Sequence, residues 1–529
     1  MIEIIRSFGT LAGPKLNFKK TEGIWIGVKN NPIIHCSFGE IKMASEPVRC
    51  LGVYIGPDHK KCEYLNWWSK LENIEKQLKF WQIRNLTILG KIIIIKHLIL
   101  PKLLFSCQFF VTPNGFVKKF ENVVYGFIWN SRDKIKRNTL ISDIQFGGLE
   151  MTDFECKIKS IQATWLWKIW NENSEWSFFG KSYLNLLGSR NLITQYNFSQ
   201  RYQFPLLKNI PTFYQNVILA YNEIKAVNVP HNCEALLNEV LWGNVLFTYL
   251  HVSKKQNVTL FFKNWISSGL IHLRSLKFVN GDIDESYIYD KLDNKRNIYC
   301  EILTIKRAIL PYKELLKGYT FTPIDNADNI TTCELQKITS KEVYKKLVQI
   351  KFEIPFQQKV WNRFLKTENI AYEHVYTCKI KIIDKKLAEF NYKVLHLILP
   401  CKFNLYRWGL CESNICDICR VTHDIPHLLF HCEKAKAVWH VLSNILNEDI
   451  SLNDIVLNQD PEKSMLFTII SFSIYKEWLT YGKKENWKSY NIISNVKLDL
   501  FVKIKFYENI VSLANTVKLL KHIHSNFVK

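Results

Sequence analysis

The sequence predicts a mainly α-helical protein with a small β-hairpin region at its amino terminus. Beyond about residue 60, apolar residues recur every three or four positions, which is the spacing of one face of an amphipathic helix. Before that point, two short runs bounded by glycine contain the β-branched and aromatic residues typical of strands. At 529 residues and 47% hydrophobic composition, the chain is long enough for two to four domains with sizeable cores.

The pattern along the chain predicts five regions. They are a small strand-bearing segment (1–60), a helical domain (61–170), a largely helical connector (171–370), a compact cysteine- and histidine-bearing module (371–445) and a basic helical tail (446–529). In the first region, residues 2–12 favour a short helix that ends at Gly13-Pro14. Residues 23–27 and 48–56 favour two strands that pair with each other, the second ending in a Gly-Pro turn.

Two consecutive helices are predicted from residue 64 to residue 100. The first carries one apolar stripe, which consists of Trp68, Leu71, Ile74, Leu78 and Trp81. The second has Thr87 as its candidate N-cap and ends before Pro101. Six basic residues and no acidic residue lie between Lys76 and Lys102. The outer surface of this pair is therefore either an ordinary solvated face or a basic groove that follows phosphates.

A cluster of cysteines and a histidine lies between residues 416 and 432, in the segment CDICRVTHDIPHLLFHC. Cys416 and Cys419 form a C-x2-C pair, and such a turn holds two thiolates about 2.3 Å from a shared Zn²⁺. His427 follows after seven residues and Cys432 after four more. Four ligands with no open position predict a structural zinc site, one that folds a small module and performs no chemistry itself.

The residues around this cluster support the prediction and also leave alternatives. Pro426 suits the first turn of a helix whose N-cap is Asp424, and that helix would carry the last two ligands back over the loop. His423 and His431 are rival fourth ligands, and Cys411 is a weaker one. A buried thiol pair beside a core histidine is the alternative without a metal.

The charge balance favours a polyanionic partner. The chain has 71 Lys and Arg against 48 Asp and Glu, a net charge of +23 with a pI near 9.3. Such an excess points first to nucleic acid, RNA or DNA. A composition that is simply rich in lysine would give the same excess, but here the basic residues are concentrated locally, as between residues 76 and 102.

The cysteines and the apolar runs bear on localisation. The fourteen cysteines are mostly isolated, and no targeting segment is evident at the amino terminus, so we expect a reducing intracellular compartment, nuclear or cytoplasmic. The most apolar runs are residues 86–111, which are broken by charges, and residues 464–475. Neither reaches the roughly 20 uninterrupted apolar residues that a bilayer span needs, so we expect a soluble protein with no membrane partner.

Four segments, in order, resemble the carboxy-terminal part of a LINE-type (non-LTR) retrotransposon reverse transcriptase. The first is AGPKLNFKKTEGIWIG (12–27), which is similar to the stretch that follows the catalytic hairpin of the palm. LGVYIG (51–56) is similar to the hairpin that grips the primer, and LKFWQIRNLTILGKI (78–92) to the opening of the thumb. FNYKVLHLILPCKFNLYRWG (390–409), together with the cysteine cluster, is similar to the terminal zinc-binding module.

The resemblance implies a palm remnant, a thumb and a zinc-binding domain that hold nucleic acid. With the basic pattern described above, it assigns nucleic-acid contacts to Lys20, Lys79, Arg84, Lys91, Lys96, Arg407 and Trp408. The sequence departs from the family at Ala12 and Pro14, where the family usually has serine and leucine.

A larger departure concerns the polymerase chemistry. The family holds two metal ions with an Asp-Asp pair and a further Asp, but this chain contains no Asp-Asp dipeptide. We therefore expect no catalytic residues, no bound Mg²⁺ and no DNA synthesis by this chain alone. Two alternatives are that it is one piece of a working RNA-directed DNA polymerase, associating with the missing palm and fingers, or that it is a domesticated protein-binding scaffold.

Carboxylates that follow the cysteine cluster raise the question of a nuclease. Asp449, Asp454 and Asp460 lack the Pro-Asp order and the later Glu-x-Lys of the nuclease found in some relatives. We interpret them as helix caps and turn residues.

Overall fold

The computed structural model of the chain confirms the mainly α prediction, with 66% helix and 5% strand. It describes residues 2–13, 17, 21–24, 42–44, 46–130, 132–172, 174–185, 205–224, 230–244, 246–251, 256–292, 297–317, 319, 337–367, 370–481 and 492–527. The chain forms two compact units, and it passes between them several times. The first comprises residues 1–69, 102–117 and 153–350, and the second residues 70–101, 118–152 and 351–529.

Among its described residues, the first unit combines helices with four two-stranded sheets. Its helices, including one that starts at the unit boundary, are Ile2–Ala12, His59–Glu63, Pro101–Phe109, Phe154–Asn171, Glu175–Asn185, Thr212–Asn222, Cys233–Leu237, Lys263–Ser267, Glu285–Lys291, Ile298–Ile309, Lys313–Leu316 and Ser340–Ile350. Strand Glu22–Gly23 pairs in parallel with Lys42–Met43. The antiparallel pairs are Val48–Cys50 with Val53–Ile55, Thr248–His251 with Gln256–Thr259, and Phe278–Val279 with Asp282–Ile283.

The core of the first unit lies largely in the region where the sequence is least informative. Trp242 and Trp265 are fully buried at its centre, with ring centroids 6.0 Å apart. A buried indole needs an acceptor for its N–H. Trp242 Nε1 donates to the carbonyl oxygen of Leu270 at 2.7 Å, and Trp265 Nε1 donates to Glu301 Oε2 at 2.7 Å.

The prediction that residues 48–56 form one strand is wrong, and Gly23 pairs with Met43 and not with this segment. Residues 48–55 instead fold back on themselves, because Leu51 and Gly52 adopt φ angles of +49° and +88° and make a two-residue turn. The hairpin is held by the buried Asn66, whose side chain accepts from the Tyr54 N–H at 2.8 Å and donates to the Tyr54 carbonyl oxygen at 2.7 Å. Residues 25–27 lie outside the described residues.

Within the part of the chain that the structure describes, the second unit consists of helices joined by loops, with one isolated β-bridge and no longer strand. Its helices are Ser69–Gln82, Ile88–Ile94, Phe116–Trp129, Arg137–Ile141, Phe356–Leu365, Tyr372–Ile380, Lys385–Leu395, Lys402–Arg407, Glu433–Leu446, Leu452–Leu457, Pro461–Tyr481, Ile493–Tyr507 and Ala514–Asn526. Asp454 caps one of them in a reciprocal pair with Ser451, and Asp460 Oδ1 accepts from the Lys463 N–H at 2.7 Å, as predicted for cap residues. None of the described helices combines the length and apolarity of a membrane span.

The two helices predicted between residues 64 and 100 are present and their inner face is buried. Leu71, Ile74 and Leu78 are buried on helix Ser69–Gln82. Thr87 is the N-cap of the next helix, and its hydroxyl accepts from the Gly90 N–H at 3.0 Å. The helical path widens to a π-helical turn at Ile95–Ile99 before a new helix begins at Pro101.

Lys91 has a structural role that the sequence does not predict. It was expected on the basic outer edge, but only 7% of the residue is exposed. Its ammonium donates to the carbonyl oxygens of Phe127 and Ile128 at 2.8 and 3.1 Å and to Asn130 Oδ1 at 2.7 Å. These carbonyls belong to the last turn of helix Phe116–Trp129, where no intrahelical N–H is available to bond them. Lys91 therefore caps that helix and is not a surface contact.

Replacing Lys91 with methionine should destabilise the protein while keeping the volume of the side chain. The substitution leaves the buried carbonyl oxygens of Phe127 and Ile128 without this donor, and each buried unsatisfied group costs about 1–3 kcal/mol. We expect a loss of roughly 3 kcal/mol in the free energy of unfolding, measured with urea.

The matched control is Lys96→Met, because the Lys96 ammonium makes one exposed bond, to the Glu150 carbonyl oxygen at 3.1 Å. Its effect should be below about 1 kcal/mol. Equal effects of the two substitutions would contradict the structural role of Lys91.

Candidate metal centre

Three thiols and one imidazole converge in the second unit. The ligand atoms of Cys416, Cys419, His427 and Cys432 all lie within 4.8 Å of one another. The sulfur atoms of Cys419 and Cys432 are 3.9 Å apart. A tetrahedral ion with metal–sulfur distances of about 2.3 Å needs sulfur atoms roughly 3.8 Å apart, so this spacing is compatible with Zn²⁺. Cys419 is partly exposed and the other three residues are buried.

The C-x2-C pair lies in a tight loop closed by backbone hydrogen bonds. Ile415 and Thr422 form a β-bridge at its base, and the Cys416 N–H donates to the Val421 carbonyl oxygen at 2.8 Å. Arg420 has a φ of +56°, and its N–H donates back to the Cys416 carbonyl oxygen at 3.1 Å. This reversal of the chain places both thiols on one side of the loop.

The other two ligands lie at the two ends of a π-helical turn, His427–His431: His427 is its first residue and Cys432 directly follows its last. Asp424 caps it as predicted, its Oδ1 accepting from the His427 N–H at 2.8 Å. Residues five apart in an α-helix differ by about 140° in direction, so an α-helix would not place His427 and Cys432 together. The wider turn does so, and the Cys432 N–H donates to the His427 carbonyl oxygen at 2.8 Å.

The electrostatics of the cluster suit a bound cation. A hydrogen bond from Cys432 is the main reason that the pKa of the Cys416 thiol falls to about 3. The same hydrogen bond, together with burial, raises the pKa of Cys432, and burial raises the pKa of Cys419. One thiolate therefore forms readily and hinders the ionisation of the other two, a repulsion that a divalent cation would relieve.

Two further groups fit a metal-bound state. His427 Nε2 is buried and has no hydrogen-bond partner among the described residues, so its lone pair is available to an ion. The Glu433 N–H, at the start of helix Glu433–Leu446, donates to Cys419 Sγ at 3.5 Å. A hydrogen bond of this kind stabilises a ligating thiolate and orients it.

The rival ligands predicted from the sequence lie outside the cluster. The buried His423 accepts at Nδ1 from the Lys402 N–H at 3.3 Å and stacks on Trp478 at 4.9 Å. Cys411 Sγ contacts the carbonyl oxygens of Lys402 and Ser413 at 3.4 and 3.2 Å. His431 is exposed. The arrangement thus selects three cysteines and one histidine.

Residues next to the cysteine cluster pack against the long helix Pro461–Tyr481. In addition to the stack of His423 on Trp478, Trp439 packs edge-on against Phe467 at 6.0 Å. Trp439 Nε1 also donates to the Leu429 carbonyl oxygen within the π-helical turn, at 2.7 Å. The loop and the tail helices are therefore parts of one packed body.

The predicted nucleic-acid contacts of the thumb-like helices have different environments. Lys79 and Arg84 are exposed, and the Arg84 guanidinium lies 4.7 Å from the centre of the Trp81 ring. Lys96 is half-buried. Lys91 is buried and fully engaged, so its assignment as a nucleic-acid contact is wrong. Lys20 lies outside the described residues.

Two exposed aromatic residues, Phe403 and Tyr406, lie beside the predicted contacts Arg407 and Trp408 and were not predicted from the sequence. Arg407 is exposed, whereas the half-buried Trp408 ring is covered by the Lys134 ammonium at 4.4 Å. Phe403 and Tyr406 expose 40% and 53% of their surface. Together with Arg407 they follow the i, i+3, i+4 spacing of one helical face, a signal that was present in the sequence.

The comparison with known protein families adds no assignment. The chain was searched against models of protein families, and none matches.

Substituting a ligand should release the metal, and substituting its close neighbour should not. Cys432→Ser should lower the bound metal from one ion per chain to a small fraction. It should also lower the free energy of unfolding by more than about 3 kcal/mol, since structural Zn²⁺ binding is worth about 10 kcal/mol or more. The measurements are elemental analysis and chemical denaturation.

Cys411→Ser is the matched control for Cys432→Ser. His427→Gln should also lose the metal, and His431→Gln is its matched control. Both control variants should keep their metal. Loss of metal from Cys411→Ser alone would show that the ligand set is wrong.

Proposed function

We propose that this chain is a nucleic-acid-binding protein related to the reverse transcriptases of non-LTR retrotransposons. It binds single-stranded RNA or DNA through its metal-bearing module and its basic thumb-like helices, and it does not add nucleotides by itself. Support comes from the four ordered segments that resemble this family, the excess of basic residues and the missing Asp-Asp pair.

We propose Zn²⁺ as the ion. Three thiols and an imidazole form a closed set of soft and borderline ligands, which zinc prefers and magnesium or calcium does not. A closed tetrahedron leaves no position for water or substrate. The ion would therefore have a structural role, holding the loop that presents the binding surface.

The observation that carries the proposed function is the combination of cations and aromatic rings on that module. Phe403, Tyr406 and Arg407 share an exposed face of helix Lys402–Arg407, and Arg420 is exposed on the C-x2-C turn. Proteins that bind single strands use mixed surfaces of this kind, on which bases stack on aromatic rings and cations contact phosphates. A duplex, whose bases are already stacked, would use only the cations.

A protein-binding role is a second candidate, and one observation favours it. Helix Ile493–Tyr507 exposes four large apolar side chains, Leu498, Phe501, Val502 and Phe506. Exposed apolar clusters often mark protein contacts. This candidate explains neither the basic excess nor the aromatic face beside the metal centre, so we place it second.

Reversing the two arginine charges should weaken binding and flatten its salt dependence. Each phosphate contact with a single strand contributes about 0.7 to the slope of log K against log salt. Arg407→Glu with Arg420→Glu should therefore reduce the slope by roughly 1.4 for a single-stranded RNA of mixed sequence, measured by fluorescence anisotropy.

Lys359→Glu with Lys518→Glu changes the net charge equally at two exposed positions elsewhere in the same unit. This control should keep a slope close to that of the wild type. Wild-type protein that binds no RNA, or binds it independently of salt, would refute the proposed function.

A further inference from the structure

The corner between helices Ser69–Gln82 and Ile88–Ile94 exposes apolar side chains where a connecting loop is usually polar. Phe80 and Ile83 are 59% and 84% exposed. The corner is short, since the Arg84 N–H donates to the Trp81 carbonyl oxygen at 3.2 Å and the Leu86 N–H to the Arg84 carbonyl oxygen at 2.8 Å. Exposed apolar side chains clustered at a rigid corner indicate a contact surface.

Cations surround these apolar side chains. The Arg84 guanidinium lies 5.5 Å from the Phe80 ring centre and 4.7 Å from that of Trp81. Lys76 and Lys79 are exposed on the preceding turn, and the sequence has no acidic residue from 76 to 102. A guanidinium plane beside an exposed ring is a surface on which a nucleobase stacks while lysines contact its phosphates.

A polar network that reaches the buried Lys91 ammonium holds the corner in place. Gln82 Nε2 donates to Asn130 Oδ1 at 3.2 Å. The same oxygen accepts from the buried Lys91 ammonium at 2.7 Å. Asn130 has a φ of +55°, so it ends helix Phe116–Trp129 with its side chain directed to these two donors. A preorganised corner binds without an additional ordering penalty.

We propose that this corner, formed by Phe80, Ile83 and Arg84, is a stacking site for an unpaired nucleotide. The base lies against the Phe80 ring and the Ile83 side chain, and Arg84 and Lys79 contact the base face and the adjacent phosphate. The proposal rests on the proposed function, that the chain binds single strands, and adds a second binding point within the same unit. A protein partner at this corner would have to be both acidic and apolar. The experiment below distinguishes such a partner from a nucleotide.

The test compares two oligonucleotides that carry the same phosphates. One is a single-stranded 12-mer of mixed sequence, and the other is the same strand with abasic sites at every second position. Full-length wild-type protein with its metal should bind the intact strand more tightly, and Phe80→Ala should reduce that preference about tenfold, because stacking one base is worth ~1–3 kcal/mol. Phe80→Tyr keeps a ring and should retain the preference.

Phe506→Ala is the matched control, since Phe506 is 64% exposed on another helix of the same unit. It should bind both strands as the wild type does. If Phe80→Ala also leaves the preference unchanged, or if the wild type does not distinguish the strands, the stacking site is refuted while salt-dependent binding still supports the proposed function. If neither strand binds at all, the proposed function itself fails, and the corner is then assigned to a protein contact.

Discussion

Three thiols and an imidazole lie within 4.8 Å of one another, and this arrangement constrains the whole metal-bearing module. Within residues 409–424 only Cys416 and His423 are buried, so the loop has almost no apolar core of its own. A hydrophobic core cannot hold such a loop, and thiolates repel one another without a counter-ion. An ion bound by these four side chains would supply the missing stabilisation. It would also fix the turn that carries the exposed Arg420.

A related constraint governs the polar residues inside the second unit. Three of them, Asn404, Lys379 and Lys91, donate to backbone carbonyl oxygens, as buried polar groups require. Asn404 Nδ2 donates to the carbonyl oxygens of Leu397 and Leu399 at 2.9 and 2.8 Å, and the fully buried Lys379 donates to the Ile455 carbonyl oxygen at 2.8 Å. Lys91 does the same at the end of a helix. Some charged and amide residues of the segments that resemble nucleic-acid-binding modules are therefore buried and stabilise the fold, and others are exposed to solvent.

The sequence predicts the parts of this protein in which one local pattern decides the outcome. Helical periodicity predicted the buried face of Leu71, Ile74 and Leu78, and the spacing of cysteines predicted the cluster with Asp424 as its cap. It could not predict features that depend on distant partners or on rare local geometry. Lys91 is buried because it donates to carbonyl oxygens 36 and 37 residues away in the sequence. The π-helical turn at His427–His431 has no characteristic amino-acid composition. The turn at Leu51-Gly52 is not predicted, because strand-forming residues lie on both sides of it and the segment has the composition of one strand.

The central claim is that these four side chains bind one ion in a closed tetrahedron. X-ray absorption at the zinc edge of the protein, purified under reducing conditions, tests it most directly. The claim predicts three sulfur neighbours at about 2.3 Å and one nitrogen at about 2.0 Å. A first shell of oxygen and nitrogen alone, or of two sulfurs and two nitrogens, would contradict it.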